Sequence, residues 1–322
     1  MTLKIPSVRE LHLERKKMWD ASMSNHVKYI NNKTGLFNCK FTENRTCPVC
    51  QKNKEMKIFK KSGGQYVKCL NCGMIYLNPV FTEECLKEYY KHNHDMQSTI
   101  VENDTPFYRA LYVQGLNSIQ KHIKIKQRNI LDIGCSSGFF LDCAKKEGWN
   151  TIGIELNINE TDLAKKKGHT IYTEPFEQIK FTECFSAITL WDVFEHIKNG
   201  RAFLNILLKQ LLPGGIIFLQ TPNSGSLAAR IIQQRCNMFD GLEHTNLYNE
   251  ETIGLLCKNI GLSIANLETV IAEVGVLNNY LQYDDPYLGN TKNKEDFMGI
   301  INEKDILSLK LGYKMQIVIS KS

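Results

Sequence analysis

The chain has 322 residues and no apolar run approaching the roughly 18 to 20 residues a bilayer span requires, so no membrane span is expected. Its first residues, MTLKIPSVRELHLERKK, are charged where a signal peptide would carry an apolar core. A cytoplasmic location follows as an expectation. No internal repeat and no low-complexity segment appears. With 43% hydrophobic and 23% charged residues, the composition excludes collagen, a disordered tail protein and a disulfide-stapled miniprotein. The length suits one large domain with an accessory module, or two domains. Eleven cysteines are an odd number, and four of them form two tight pairs. Reduced thiols, some of them metal ligands, are therefore expected in place of disulfides.

Acidic residues are scarce in the first part of the chain. Of the 40 Lys+Arg and 34 Asp+Glu, residues 1–128 hold 22 and 11, a net of +11, and residues 129–322 hold 18 and 23, a net of −5. Such a split points the N-terminal part towards something anionic: a nucleic acid, a phosphorylated carrier or a lipid surface.

Four segments follow from pattern. Residues 1–38 carry Val8, Leu11, Leu13, Met18 and Val27 among charges and read as an amphipathic helical segment. Residues 39–80 hold the cysteine pairs, a Gly63-Gly64 turn and an Asn78-Pro79 stop, the marks of a small module of short strands. Residues 81–127 turn helical, with Leu86, Tyr89 and Tyr90, then Tyr108, Leu111, Tyr112, Leu116 and Ile119 at three- and four-residue intervals. From residue 128 to 322 strands and helices alternate. This predicts an α/β domain with a seven-stranded, mostly parallel sheet and helices on both faces. The strands read are Asn129–Ile133, Thr151–Glu155, His169–Tyr172, Ser186–Leu190, Gly215–Gln220, Leu262–Val270 and Tyr313–Ser320. An irregular insertion near 271–310, marked by Asp284-Asp285-Pro286 and Gly289-Asn290, precedes the last of them.

Cys47-Pro-Val-Cys50 is followed after eighteen residues by Cys69-Leu-Asn-Cys72-Gly. Each pair forms a tight knuckle, and four thiolates close a tetrahedron around zinc with no open position, so the metal would be structural. Four buried free cysteines would have to explain two coincident spacings, and a redox dithiol needs only one pair. Cys39, Cys85, Cys135, Cys143, Cys184, Cys236 and Cys257 lack such spacing and read as apolar fillers.

The segment Asn129-Ile-Leu-Asp-Ile-Gly134-Cys-Ser-Ser-Gly138-Phe opens as a strand, turns on glycines and enters a helix. Such a turn brings bare backbone and a helix N-terminus close to a ligand. Seventeen residues after Gly138, at the end of the next strand, stands Glu155, a carboxylate placed to accept both hydroxyls of a ribose. The loop lacks the G-x-G-x-x-G spacing of a dinucleotide dehydrogenase.

LDIGCSSG, GIELN, FSAITLWDVFEHI and LLPGGIIFLQTPN, in that order, resemble the motifs of the class I S-adenosylmethionine-dependent methyltransferases over roughly residues 129–261. The resemblance implies that Asp132, Gly134, Cys135 and Gly138 line the methionine end of S-adenosylmethionine and that Glu155 holds its ribose. It also implies that Glu174 and Phe176, in the segment Glu174–Glu177, meet the adenine, and that Leu190 and Trp191 flank the sulfonium. Ser136 stands where the family usually has glycine. Upstream, Cys69-Leu-Asn-Cys72-Gly-Met-Ile-Tyr-Leu-Asn-Pro79 followed by Tyr89-Tyr90 resembles bacterial proteins that set a zinc ribbon before this domain, many tied to sugar and surface-polysaccharide biosynthesis. Tyr89 and Tyr90 would then either close over the cofactor as a lid or pack the linker helices.

Methyl transfer is an in-line displacement, so a base is needed only where the acceptor must lose a proton. Asp192-Val-Phe-Glu195-His196 follows the fourth strand, at the edge where such sheets bind ligands. The imidazole of His196 can take a proton near neutrality or serve as a helix cap. The same spacing resembles the E-x-x-E-H segment of quinone-biosynthesis O-methyltransferases, which implies a magnesium ion at Asp192, Glu195 and His196. His244, after Glu243, is either a base or a structural bridge. Asn278-Asn-Tyr-Leu-Gln-Tyr-Asp-Asp-Pro-Tyr-Leu-Gly289 suits a sugar or aromatic acceptor or, equally, a homodimer contact.

The expectation is an enzyme that methylates a small or carrier-linked acceptor, a sugar of a surface-polysaccharide pathway. Two rivals stand beside it. One is an RNA methyltransferase that grips nucleic acid through the ribbon and the basic half, although the basic residues are dispersed and not interleaved with aromatics. The other is a non-catalytic zinc-dependent scaffold.

Overall fold

The computed structural model describes residues 26–93, 106–282 and 302–321. The strands of the ribbon are β1 (Glu55–Lys61), β2 (Gly64–Cys69) and β3 (Ile75–Leu77). The later strands are β4 (Asn129–Ile133), β5 (Asn150–Ile154), β6 (Thr170–Tyr172), β7 (Phe185–Trp191), β8 (Leu211–Pro222), β9 (Asn246–Leu247), β10 (Leu262–Val270) and β11 (Lys314–Lys321). The helices are α1 (Glu83–Asn93), α2 (Pro106–His122), α3 (Phe139–Lys146), α4 (Ile158–Lys166), α5 (Gly200–Leu207), α6 (Leu227–Ile232), α7 (Glu250–Lys258), α8 (Val274–Gln282) and α9 (Glu303–Ser308).

The large sheet runs β6-β5-β4-β7-β8-β11-β10. β6 through β8 are parallel, and β11 lies antiparallel between β8 and β10. Every residue of β4 and β7 is buried, as central strands covered on both faces require. Side-chain alternation divides the core. Leu131, Ile133, Ile188, Leu190, Ile217 and Leu219 meet Phe203, Leu204, Ile253 and Leu256 of α5 and α7 on one face. Ile130, Ala187, Trp191, Ile216, Phe218 and Val318 meet Leu116, Ile119, Phe140 and Leu141 of α2 and α3 on the other. The seven expected strands are all present. β8 starts at Leu211, earlier than the expected Gly215, because Leu211 pairs with Phe185 ahead of a register shift. The chain order reverses between β4 and β7, and their carboxyl ends frame the crevice where α/β sheets take ligands.

The ribbon and the α/β half share a second sheet, of order β9-β3-β2-β1, all antiparallel. Its fourth strand, β9, comes from residues 246–247, beyond β8. Arg45 reinforces the junction through hydrogen bonds from its guanidinium to the carbonyls of Leu77, Lys198 and Thr245 and to Asn246 Oδ1.

Within the N-terminal segment, Val8, Leu11, Leu13 and Met18 lie outside the described residues. After them the chain forms a single 3-10 turn at Val27–Tyr29 and the two-residue pair Ile30–Asn31 with Leu36–Phe37, with Val27 61% exposed. Residues 1–25 of the expected helix lie outside the described residues; His26 is helical, and the chain leaves the helix after it. Most of the tyrosine-rich insertion and the side chain of Tyr90 also fall outside the described residues. Among the described residues no helix is long and apolar enough to cross a membrane.

Candidate active site

The turn after β4 has the backbone the glycines imply. Gly134, Ser136 and Gly138 hold φ of 74°, 49° and 78°, a left-handed region that favours glycine. A Cβ on Gly134 would stand 2.6 Å from Val193 Cγ2, and one on Gly138 2.9 Å from His169 Cδ2. Gly138 is the residue before α3, so the turn delivers the N-terminus of that helix to the crevice. Glu155 faces the turn from the end of β5. Its Oε2 accepts from Ser136 N and its Oε1 from Asn157 N, both at 2.8 Å. Serine at position 136 keeps the left-handed conformation and leaves its amide free for this bond. A bare peptide surface, a helix N-terminus and a carboxylate thus come together at the carboxyl ends of β4 and β5.

Asp132 lies below the turn, buried, with Thr189 Oγ1 donating to it at 2.6 Å. Burial pushes its carboxyl up to about 8, with Glu155 adding to the rise and Thr189 opposing it. Cys135 turns its thiol into the core against Gly153, so only its backbone faces the turn. Phe176 is buried among Phe181 and Phe203, whereas Glu174 is exposed and accepts from Thr173 N. Leu190 packs into one face of the core. Trp191 packs into the other, with ring centroids 4.7 Å from Tyr112, 4.9 Å from Phe140 and 4.7 Å from Phe218.

A second set gathers at the carboxyl end of β7. The strand closes with Asp192 at φ 55°, and a 3-10 turn, Phe194–His196, follows. Ligand atoms of Glu195, His196 and His244 all lie within 4.8 Å of one another. The rings of His196 and His244 meet edge to face at 5.0 Å. Three contacts bring the His244 loop to this turn: Thr245 Oγ1 donates to Glu195 O at 3.1 Å, Asn246 Nδ2 donates to Ile197 O at 2.6 Å, and Arg45 bridges Lys198 and Thr245. The loop itself is wound around Asp240, whose carboxylate accepts from the amides of Leu242, Glu243 and His244.

The electrostatics differ from group to group. Burial pushes Glu195 up to about 7, and Asp192 adds to the rise. Its Oε2 accepts from Thr221 at 3.0 Å, while its buried Oε1 has no hydrogen-bond partner and faces His244 Nε2 at 4.0 Å. His196 is driven down to about 3 by burial and by neighbouring His244, and stays neutral. Burial also works against a charge on His244, but Asp240, Glu195, the Met238 carbonyl and Glu243 together raise it above the usual value. His244 Nδ1 lies 2.8 Å from Met238 O and so carries the hydrogen, which leaves Nε2 to receive a proton.

Of the residues implied for magnesium, Glu195 and His196 converge with His244, and Asp192 stands outside that group. Asp192 Oδ2 accepts from Lys314 Nζ and Gln220 Nε2, while its buried Oδ1 has no hydrogen-bond partner. The carboxylate and two imidazoles that do converge are a poor donor set for a hard cation that prefers oxygen. The convergence instead places acid and base groups side by side.

In the ribbon, the sulfurs of Cys47, Cys50, Cys69 and Cys72 form one group, with Cys47 to Cys72 and Cys50 to Cys69 at 3.5 Å. Tetrahedral zinc with bonds of about 2.3 Å sets sulfurs roughly 3.8 Å apart, so the four fit this ion.

Three positions carried little signal in sequence. Glu243 is held by the Tyr89 hydroxyl at 2.9 Å, and burial with Asp240 pushes it up to about 7. Asp240 was not singled out, and the only signal there that could have found it is the Asp240-Gly241 turn pair. Lys314, in the last strand, had no mark at all.

A family model for a methyltransferase domain matches residues 107–267. A ubiquinone biosynthesis O-methyltransferase of Hydrogenovibrio crunogenus is 27% identical over 141 residues, 40% of this chain and 58% of that protein. Its counterpart in Histophilus somni is 25% identical over 153 residues, 44% of this chain and 61% of that protein. The chain thus spans about three-fifths of the length of these curated relatives. The plantazolicin methyltransferase BpumL, solved with a pentazolic desmethylPZN analog and SAH, is 18% identical over 71% of this chain and 91% of its own, with a TM-score of 0.49. The matched half of the sequence holds the glycine turn, Glu155 and the Glu195–His196 turn, in the order in which the sheet assembles them. The chain belongs to the methyltransferase domain family.

Proposed function

We propose that this chain transfers a methyl group from S-adenosylmethionine to a small or carrier-linked acceptor, a sugar of a surface-polysaccharide pathway, and that His244 removes a proton from the acceptor as the methyl group arrives. The observation that carries the reading is the convergence of Glu195, His196 and His244 within 4.8 Å. They stand at the carboxyl end of β7, the strand beside the cofactor turn.

The turn from Gly134 to Gly138 and Glu155 would hold the cofactor. When bound, it supplies a methyl carbon already activated by positive sulfur. The protein's task is then to position the acceptor and to manage its proton. His244 presents Nε2 as the base because Nδ1 donates to Met238 O. Glu195, close to half-ionised at neutral pH, stabilises the imidazolium that forms. Neutral His196 packs against the same ring and offers a hydrogen-bonding nitrogen to the acceptor. A sugar acceptor is supported by this need for a base and by the net +11 of residues 1–128, which suits the phosphates of a nucleotide-linked precursor. Cys47, Cys50, Cys69 and Cys72 hold a structural zinc ion in this reading.

The test is methyl incorporation from labelled S-adenosylmethionine into a panel of nucleotide sugars, with SAH calorimetry alongside. His244→Gln is expected to abolish incorporation and leave SAH affinity unchanged. Transfer to RNA in place of the panel, with binding that weakens steeply as salt rises, would overturn the acceptor class. Undiminished transfer by His244→Gln would remove the base.

A further inference from the structure

We propose that His26 is a positioning residue of the acceptor site: it fixes the direction of the Tyr89 hydroxyl, so that this hydroxyl donates to Glu243, the neighbour of His244. The proposal deepens the reading of this cluster as an acceptor site.

Tyr89 projects from α1 and is 1% exposed. Its hydroxyl donates to Glu243 Oε1 at 2.9 Å, across 154 residues of sequence. A phenol has a single hydrogen to give, so towards other polar neighbours its oxygen acts as an acceptor. His26 Nε2 lies 3.0 Å from that oxygen. For the pair to bond, Nε2 must carry the hydrogen.

The surroundings keep this arrangement in place. His26 is 3% exposed, stacks on Tyr89 at 5.4 Å and meets the edge of Phe37 at 6.2 Å. Tyr29, Phe37, Phe81, Cys85 and Leu242 close an apolar pocket around Tyr89. Burial there pushes His26 below the usual imidazole value, against the attraction of Asp240. A neutral ring has one N–H, and the bond to Tyr89 commits it to Nε2.

The result is a one-way chain of donors, from His26 to Tyr89 to Glu243. Donors that end on a carboxylate favour its ionised form, whereas a Tyr89 hydroxyl turned the other way would accept from the protonated acid. Among the described residues, Glu243 is faced by Asp240 and His244 from its own loop and by Tyr89 from α1. His244 in turn faces Glu195 and His196. Burial and Asp240 favour the protonated acid, while Tyr89 and His244 oppose them. A change at His26 reaches this balance through the Tyr89 hydroxyl. Phenylalanine keeps an aromatic ring in the pocket and lacks the ring nitrogens, so it separates packing from hydrogen bonding.

The experiment is a carboxyl titration of Glu243 by NMR in the full chain with 13C-labelled glutamate, the signal assigned by its loss in Glu243→Gln. In the wild type the midpoint should lie near 7. In Tyr89→Phe and in His26→Phe it should rise by about half a unit or more. In His26→Gln, whose amide keeps a donor, it should stay near the wild-type value. A His26→Phe midpoint equal to the wild type while Tyr89→Phe moves overturns the proposal. So does a His26→Gln shift as large as that of His26→Phe. Long-range 1H–15N correlation of the wild-type ring is a second readout that needs no variant. A proton on Nε2 supports the proposal, and one on Nδ1 overturns it. These readouts report on His26 without any acceptor, so failure of methyl transfer and failure of this inference are told apart.

Discussion

Replacing Gly64 with alanine should damage the active site from inside the ribbon. Gly64 opens β2, and a Cβ there would sit 2.0 Å from Gly241 O, 2.8 Å from Gly241 C and 2.9 Å from Leu77 Cδ2. The obstruction is backbone, so no side-chain rotation relieves it. Gly241 is packed as closely on the same hairpin, since a Cβ on it, at φ +90°, would meet Lys61 O at 2.1 Å. Ordinary contact begins near 3.4 Å, so the two backbones must part by about 1.4 Å, more than a packed core absorbs quietly. Overpacking of this kind costs about 1–3 kcal/mol. For a chain of this size that lowers Tm by something on the order of 5 °C. The displacement falls on the loop wound around Asp240, and His244 is three residues beyond Gly241. A misplacement of about 1 Å at a reacting group costs roughly 100-fold in rate. The expected outcome is a folded variant with a lower Tm, SAH affinity within about twofold of wild type and methyl transfer reduced by roughly that factor. Calorimetry, thermal unfolding and labelled transfer on the same preparation measure the three. Wild-type transfer by a folded Gly64→Ala protein would refute the claim that β2 holds the loop.

Other perturbations have equally definite outcomes. Cys47→Ser should remove about one zinc per chain and abolish hydrogen-exchange protection in β1 to β3; an unchanged metal content by elemental analysis would contradict the ribbon. Glu155→Ala removes the carboxylate proposed to hold the ribose, and a hydrogen bond to a charged group is worth about 1.5–3 kcal/mol, so SAH affinity should fall by at least roughly tenfold; equal affinity would displace the cofactor from this turn. Glu195 has a folded value of about 7 against an ordinary 4.5, so the stability it contributes is present below the unfolded value and is lost as pH rises through the folded one. Glu195→Gln should therefore flatten the decline of stability between pH 4.5 and 7, by up to about 3 kcal/mol, and urea unfolding at several pH values would show an unchanged decline if the carboxyl were not buried as an acid.

Local features were legible in the sequence because local chemistry decides them. Asn129–Ile133 is an apolar run between turn signals, and the glycines after it adopt the left-handed conformations that few other residues tolerate. The seven strands and the two cysteine pairs could be read for the same reason. Orientation inside β7 was less accessible. A strand buried on both faces carries no polar alternation, so nothing in FSAITLW says which face of the core Leu190 enters and which Trp191 enters. Asp192 stands outside the Glu195–His196–His244 group and pairs through Oδ2 with Lys314, 122 residues away. His244 replaces Asp192 in the cluster because Thr245 and Asn246 bind the carbonyls of Glu195 and Ile197. Contacts of that range leave no periodicity in a single sequence.

The shared sheet explains why a four-cysteine ribbon stands before this domain. An isolated hairpin is marginal in water, and β9, with two residues, cannot hold a loop by itself. Paired to β3, with Tyr66 OH receiving Gly241 N and Arg45 tying Thr245 to Lys198, it becomes the rigid end of the His244 loop. The side chains of Val67 and Cys69 pack in the same core cluster as Phe194 and Tyr248, so order in the ribbon and order in the catalytic turn are one cooperative property. A four-thiolate ion binds folded ribbon in preference to unfolded chain, which makes its binding energy folding energy. Through β3 and β9 that energy would reach the His244 loop, so loss of a metal from the four cysteines should disturb His244 before it disturbs the turn from Gly134 to Gly138.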